Sequence, residues 1–131
     1  MSVKVSCSEI QTLTTRLAQL GGNVPKAITI GMYKWAEKTR TAAIEVTPKH
    51  LGELRDSIRV PLPDADDCKI SIEAGGLAAP YAVIQHEKLF DNYTTEGTGP
   101  KYLENPINER MPLLKESIAN EIEREIQKVK L

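Results

Sequence analysis

Residues 24–46 read VPKAITIGMYKWAEKTRTAAIEV, and Ile28, Met32, Trp35, Thr39, Ala42 and Val46 recur there at spacings of four, three, four, three and four. That period puts all six on one stripe of a helix, a face made for burial. Asn23-Val24-Pro25 opens the helix, since a proline is tolerated in its first turn. Thr47-Pro48 closes it, because proline disfavours helical geometry in the residue before it. A second stripe lies at the far end of the chain. Asn105-Pro106 starts a helix carrying Ile107, Met111, Leu114, Ile118, Ile122, Ile126 and Val129. At about 1.5 Å per residue, its roughly 24 residues would span about 36 Å, comparable to a whole small domain.

Working outward, residues 2–7 alternate, with Val3, Val5 and Cys7 on one side and Ser2, Lys4 and Ser6 on the other, the period of a short strand. Ser8 is placed to cap a short helix, with Gln11 reaching back. Ile10, Leu13, Leu17 and Leu20 form its stripe, and Gly21-Gly22 stops it. Beyond Pro48, residues 49–57 read as a turn or short helical piece. Ile58 and Val60 start a strand, and Pro61 to Asp67 form a polar turn. Cys68, Ile70, Ile72 and Ala74 then alternate with Lys69, Ser71 and Glu73, and Tyr81 to His86 reads as another strand. The expectation is one α+β domain over residues 1–131. An antiparallel sheet of three to four strands, with 57–60, 68–74 and 81–86 as its members, packs with two long helices plus a short N-terminal helix. Trp35 should be buried with Met32, with Ile70 or Ile72 nearby. Residues 87–101 are polar, rich in Thr and Gly, and aperiodic. A loop of that length is usually functional or mobile, and residues 87–99 are expected to become ordered only on assembly.

Composition is that of an ordinary domain: 131 residues, 40% hydrophobic and 27% charged. Such a chain buries about two-thirds of the surface its unfolded form exposes, so no metal or disulfide is needed to hold a core. Seventeen Lys and Arg against eighteen Asp and Glu leave a net charge of −1, which argues against a dedicated nucleic-acid binder. No apolar run of about 18 residues is present for a membrane span, and the first residues lack an apolar signal core. Cys7 and Cys68 are isolated, so neither a zinc site nor a disulfide framework is indicated, and a reducing cytoplasm is the plain reading. Charge is uneven, however. Residues 1–60 carry nine cations and five anions, and residues 61–131 carry eight cations and thirteen anions. Halves of opposite sign suit head-to-tail packing of identical subunits, with a basic face against a neighbour's acidic one. Ordinary surface variation would give the same count.

Motifs for chemistry fail one by one. His86-Glu87 invites a zincin reading, but position 90 is Phe90 where a second histidine is required. His86 then reads as a polar residue at a strand end, and His50 has no sequence partner. Gly97-Thr98-Gly99-Pro100 lacks the Lys-Ser/Thr of a phosphate-binding loop, and Pro100 removes a backbone donor. Asp64, Asp66 and Asp67 lack the Gly and distal Glu of a calcium loop. No Gly-x-Ser-x-Gly elbow occurs. Lys49, Arg55 and Arg59 form a modest basic cluster, more often a solvated edge than a phosphate site. No enzyme and no cofactor is expected.

The stretch Thr47-Pro48-Lys49-His50-Leu51-Gly52-Glu53-Leu54-Arg55-Asp56-Ser57-Ile58 resembles a signature of tailed-phage head–tail joining proteins, also called neck or tail-completion proteins. The family pattern is Thr-Pro, two or three residues, then Gly-x-Leu-Arg-x-Ser-Ile. Thr47, Pro48, Gly52, Leu54, Arg55, Ser57 and Ile58 fall on it. Ala79-Pro80-Tyr81-Ala82, Gly99-Pro100-Lys101-Tyr102-Leu103 and Trp35-Ala36-Glu37-Lys38 extend the similarity over nearly the whole chain. One departure is the stretch Glu87 to Glu96, where many members pass almost at once into a short Gly-Thr segment.

The resemblance implies a virion protein made in the host bacterial cytoplasm. It would form a cyclic homo-oligomer, most often a hexamer, in the neck. Partners would be the phage connector or adaptor and the tail tube or tail terminator, with no membrane and no sequence-specific nucleic acid, and with DNA passing through the ring. Candidate interface residues are Lys34, Lys38, Arg55, Arg59, Phe90 and Tyr93. The alternatives are a minor capsid-associated protein of the same fold and a small enzyme or toxin-like protein with an unrecognised site.

Overall fold

The structure is a computed structural model and describes residues 2–6, 11–48, 52–63, 69–76, 82–87 and 99–130. Strand β1 (Ser2–Ser6) is followed by helix α1 (Gln11–Gln19), helix α2 (Val24–Val46), a single helical turn α3 (Glu53–Asp56), strand β2 (Lys69–Glu73), short helix α4 (Ala82–Glu87) and helix α5 (Glu104–Lys130). The chain is mainly helical. The expected sheet of three to four strands does not form among the described residues; β1 and β2 make a two-stranded antiparallel ribbon, with Ser2 opposite Glu73 and Ser6 opposite Lys69.

The helix ends follow local chemistry. α1 closes in a Schellman arrangement: Gly22 N–H donates to Leu17 O and Gly21 N–H to Ala18 O, both at 3.0 Å, with Gly21 at φ 78°. Asn23 caps α2, its Oδ1 accepting from Lys26 N at 3.1 Å. Thr47 ends α2 in extended conformation. Inside α5, Pro112 removes one backbone donor. In the same turn, the Trp35 indole donates to Arg110 O at 2.7 Å.

α2 and α5 run antiparallel and carry the core. Ile28, Met32, Trp35, Ala36 and Ala43 of α2 pack with Ile107, Leu114, Ile118, Ile122 and Ile126 of α5, and Ile70 and Ile72 of β2 join the same cluster. The helices touch at Gly31. A Cβ built there would lie 2.6 Å from Ile118 Cα, closer than real atoms approach, and Ser117 Oγ donates to Gly31 O at 2.8 Å.

Two strand expectations fail for identifiable reasons. The 57–60 segment contributes a single bridge, where Arg59 and Glu73 exchange both backbone hydrogen bonds at 2.8 Å. In an antiparallel ladder such doubly bonded pairs recur every second residue. The next two positions on this strand are therefore 61 and 63, and both are proline, with no N–H to donate. The ladder stops after one rung. The 81–86 segment reads as a strand in the sequence, but Ala82–Glu87 is helix α4. Ala82 and His86 are both buried, and residues four apart share a face in a strand and in a helix alike. That spacing could not separate the two.

An ordinary glycine-to-alanine change within a helix gains about 1 kcal/mol. Gly31→Ala should reverse that sign and destabilise by about 1–3 kcal/mol through overpacking against the Ile118 backbone. Trp35→Ala should cost about 3–5 kcal/mol as a large-to-small core change. Urea unfolding of both variants checks each; a stabilised Gly31→Ala protein would show that the helices do not meet there.

Candidate functional site

The six candidate interface residues do not form one surface. Lys34 and Lys38 lie on α2 and line a groove of about 290 Å³ between α2 and α5, floored by Trp35 and bordered by the half-exposed Leu113. Arg110 and Arg124 of α5 join them, so four cations face two acids, Glu116 and Glu121. Lys34 is ion-paired with the nearly buried Glu121, which Arg124 also approaches at 3.7 Å. Arg110 donates through Nε to Thr39 Oγ1 at 3.0 Å. Lys38 is exposed and has no ion-pair partner among the described residues. Sequence reasoning missed Arg110 and Arg124, because they stand more than seventy residues from Lys34 and only helix packing joins them.

Arg55 and Arg59 sit elsewhere, at the corner where α2 gives way to the ribbon. Arg55 Nε donates to Thr47 O at 2.9 Å, a cation at the carbonyl end of α2 where the helix dipole favours it. Arg59 donates to Ser57 O and Gly75 O at 3.0 and 2.9 Å and pairs with Glu73 at 3.2 Å. Arg40 Nε donates to Ile58 O at 2.7 Å from α2 itself. Gly52 adopts φ 83°, a left-handed value that favours glycine, at the start of α3. Leu54 and Ile58 are buried. Ser57 Oγ donates to Leu54 O at 2.6 Å and accepts from Gly75 N at 2.9 Å. The signature-like residues thus build a corner tied by side-chain hydrogen bonds to backbone. Phe90 and Tyr93 lie outside the described residues, as does most of the 87–99 loop.

His86, expected at a strand end, is 3% exposed and helps start α5. Its Nε2 accepts from Glu104 N at 3.2 Å, one of the orphan donors of a helix N-terminus. That leaves the proton on Nδ1, which lies 2.8 Å from Glu87 Oε1 and donates to it. Tyr102 meets the ring edge-on at 5.0 Å, and its hydroxyl donates to Ala82 O at 2.6 Å. Lys101 pairs with Glu87 and, at 3.3 Å, with Glu104. Hydrogen bonds from Lys101 first, and from His86 second, hold the Glu87 carboxyl below its usual range. The Glu87 carboxylate in turn raises the Lys101 ammonium. This cluster clasps α4 to the start of α5.

Among the described residues no group of three or more His, Cys, Asp or Glu is placed to hold a metal ion, and no described helix is long and apolar enough to cross a membrane. No family model, curated protein or solved structure matches the chain.

A carboxyl depressed by folding contributes stability that is present above its unfolded value, about 4.3, and is lost as pH falls through the folded value. Glu87→Gln should therefore destabilise the protein near neutrality, and the gap from wild type should close as pH drops well below 4.3. Thermal unfolding of both proteins from acid to neutral pH reads this. A gap that stays constant into strong acid would assign the effect to something other than the Glu87 charge.

Proposed function

We propose that this chain is a structural protein of a tailed-phage or prophage particle, a subunit of a cyclic ring in the neck that joins the head connector to the tail. It works by binding. Subunit faces close the ring, one ring face docks the connector or adaptor, and the other docks the tail tube or terminator, with DNA passing through the centre. It is made in the host bacterial cytoplasm and ends in the virion.

The observation that carries this reading is the Thr47–Ile58 pattern. Its seven matching residues fall at the spacing of the neck-protein signature, and six of them have distinct tasks in one corner: Thr47 as cap, Gly52 as left-handed turn, Leu54 and Ile58 as anchors, Arg55 and Ser57 as ties to backbone. Pro48, the seventh, follows directly on the cap and cannot continue the helix. Such a corner needs no substrate, which suits a scaffold. The opposite charge of the two halves of the chain adds support for head-to-tail contact.

Mass measurement across concentration, followed by imaging, tests it. The expected result is a ring of identical subunits, with a hexamer foremost. Raising salt from about 50 to about 500 mM shortens the screening length roughly threefold and should slow ring association. A 14.5 kDa monomer at every concentration up to about 1 mM would overturn the reading.

A further inference from the structure

Along one stripe of α5, Arg110, Leu113, Ser117, Asn120 and Arg124 follow at spacings of three, four, three and four, and all five line the α2/α5 groove. Lys34 and Lys38, four apart on α2, form its opposite edge. Lys34, Asn120, Glu121 and Arg124 also line a continuation of the groove that reaches Gln127 and Lys128. From Arg110 to Lys128 the run is about 27 Å at about 1.5 Å per residue. A single ion needs far less, whereas about eight residues of extended chain match that length.

Unpaired charge is concentrated at one end. Lys34 and Arg124 share Glu121, and Lys26 and Lys128 share Glu125. Lys38 and Arg110 have no ion-pair partner among the described residues. Arg110 Nε is held on Thr39 Oγ1, which fixes the guanidinium plane and leaves Nη1 and Nη2 as a preset fork. Such a fork suits a carboxylate, which accepts two parallel N–H bonds from it. Leu113, 43% exposed, adds apolar surface to the same groove, and Asn120 adds an amide able to bond peptide backbone. Nucleic acid fits poorly, because Glu116 and Glu121 line the groove and would repel a phosphate backbone.

We propose that the α2/α5 groove docks an acidic, extended segment of a partner protein. A carboxylate of that segment meets Arg110 and Lys38, and an apolar side chain packs on Leu113. The site goes beyond the ring reading and does not depend on whether this chain forms a ring.

A display library of random peptides about 12 residues long, selected on the full chain, tests this. Peptides rich in Asp and Glu, with an apolar residue among them, should be enriched. A synthetic copy of the strongest should bind wild type and lose about tenfold or more in affinity to Lys38→Glu and to Arg124→Glu. Both side chains are exposed, and unchanged thermal unfolding checks that the fold persists. Arg16→Glu makes the same change of charge on an exposed residue of α1, outside the groove, and should leave affinity within about twofold. No enrichment, enrichment without acidic residues, or an equal loss in Arg16→Glu would overturn the proposal. A single-stranded DNA of about 12 nucleotides that displaces the peptide and binds more tightly would give the groove to nucleic acid and overturn it too. Self-association of wild type that Lys38→Glu abolishes would give the groove to a second copy, with the same consequence. Rings without peptide binding sink the groove assignment and leave the ring reading standing. A monomer that binds acidic peptides through Lys38 does the reverse.

Discussion

Two helix backbones meet at Gly31 and Ile118, and most of the molecule is arranged around that contact. Only a residue without a Cβ lets α2 and α5 come so near, since an added carbon would sit 2.6 Å from Ile118 Cα. With the crossing held there, Trp35 reaches Arg110 O, Lys34 reaches Glu121, and Lys26 approaches Glu125 at 3.7 Å. The two glutamates are charged yet only 8% exposed, each next in sequence to the fully buried Ile122 or Ile126. Long lysine stems on α2 satisfy them from the solvent edge. The same closeness leaves a shallow groove on one flank of the pair, and there the cations collect.

The other flank of α2 serves a different purpose. Arg40, Arg55 and Arg59 donate to backbone carbonyls there, so Arg55 and Arg59, which with Lys49 read as a modest basic cluster in the sequence, have internal partners. A guanidinium suits this work because its planar donors bond carbonyls in fixed directions while its charge stays partly hydrated. The result is an exit from α2 whose described residues are tied to backbone carbonyls at several points. It ends in a proline-braced segment that cannot extend the ribbon and carries an exposed leucine.

At the start of α5, His86, Glu87, Lys101 and Tyr102 form a third fixed point. His86 gives the helix an acceptor from outside its own chain segment, where the sequence reading allowed it only a polar position at the end of a strand. The error came from geometry. Spacing of four is common to both periods, and the hydrogen bond that identifies the residue's task comes from residue 104, eighteen positions away.

The sequence by itself determined the two long helices, their limits at Asn23 and Thr47 and near Pro106, the glycine stop after α1 and the inward alternation of Ile70, Ile72 and Ala74. These follow from local rules of capping, proline sterics and periodicity. It placed Ala42, Val46, Met111 and Val129 on the buried stripes, whereas the fold buries Ala43 and leaves Met111 and Val129 more than a third exposed. On α2 the 4-3-4-3 pattern repeats every 3.5 residues, and a straight helix drifts about 20° from it per heptad, so Ala42 and Val46 at its far end roll off the stripe. Only the tertiary structure decided that the 58–63 segment adds no strand to the ribbon beyond the Arg59–Glu73 bridge, because this depends on which of its residues face the donors of β2. It also separated Lys34 and Lys38 from Arg55 and Arg59, and joined the first pair to Arg110 and Arg124. Sequence distance carries no information about such groupings. They are set by which helix faces come together, and here one missing Cβ permits that approach.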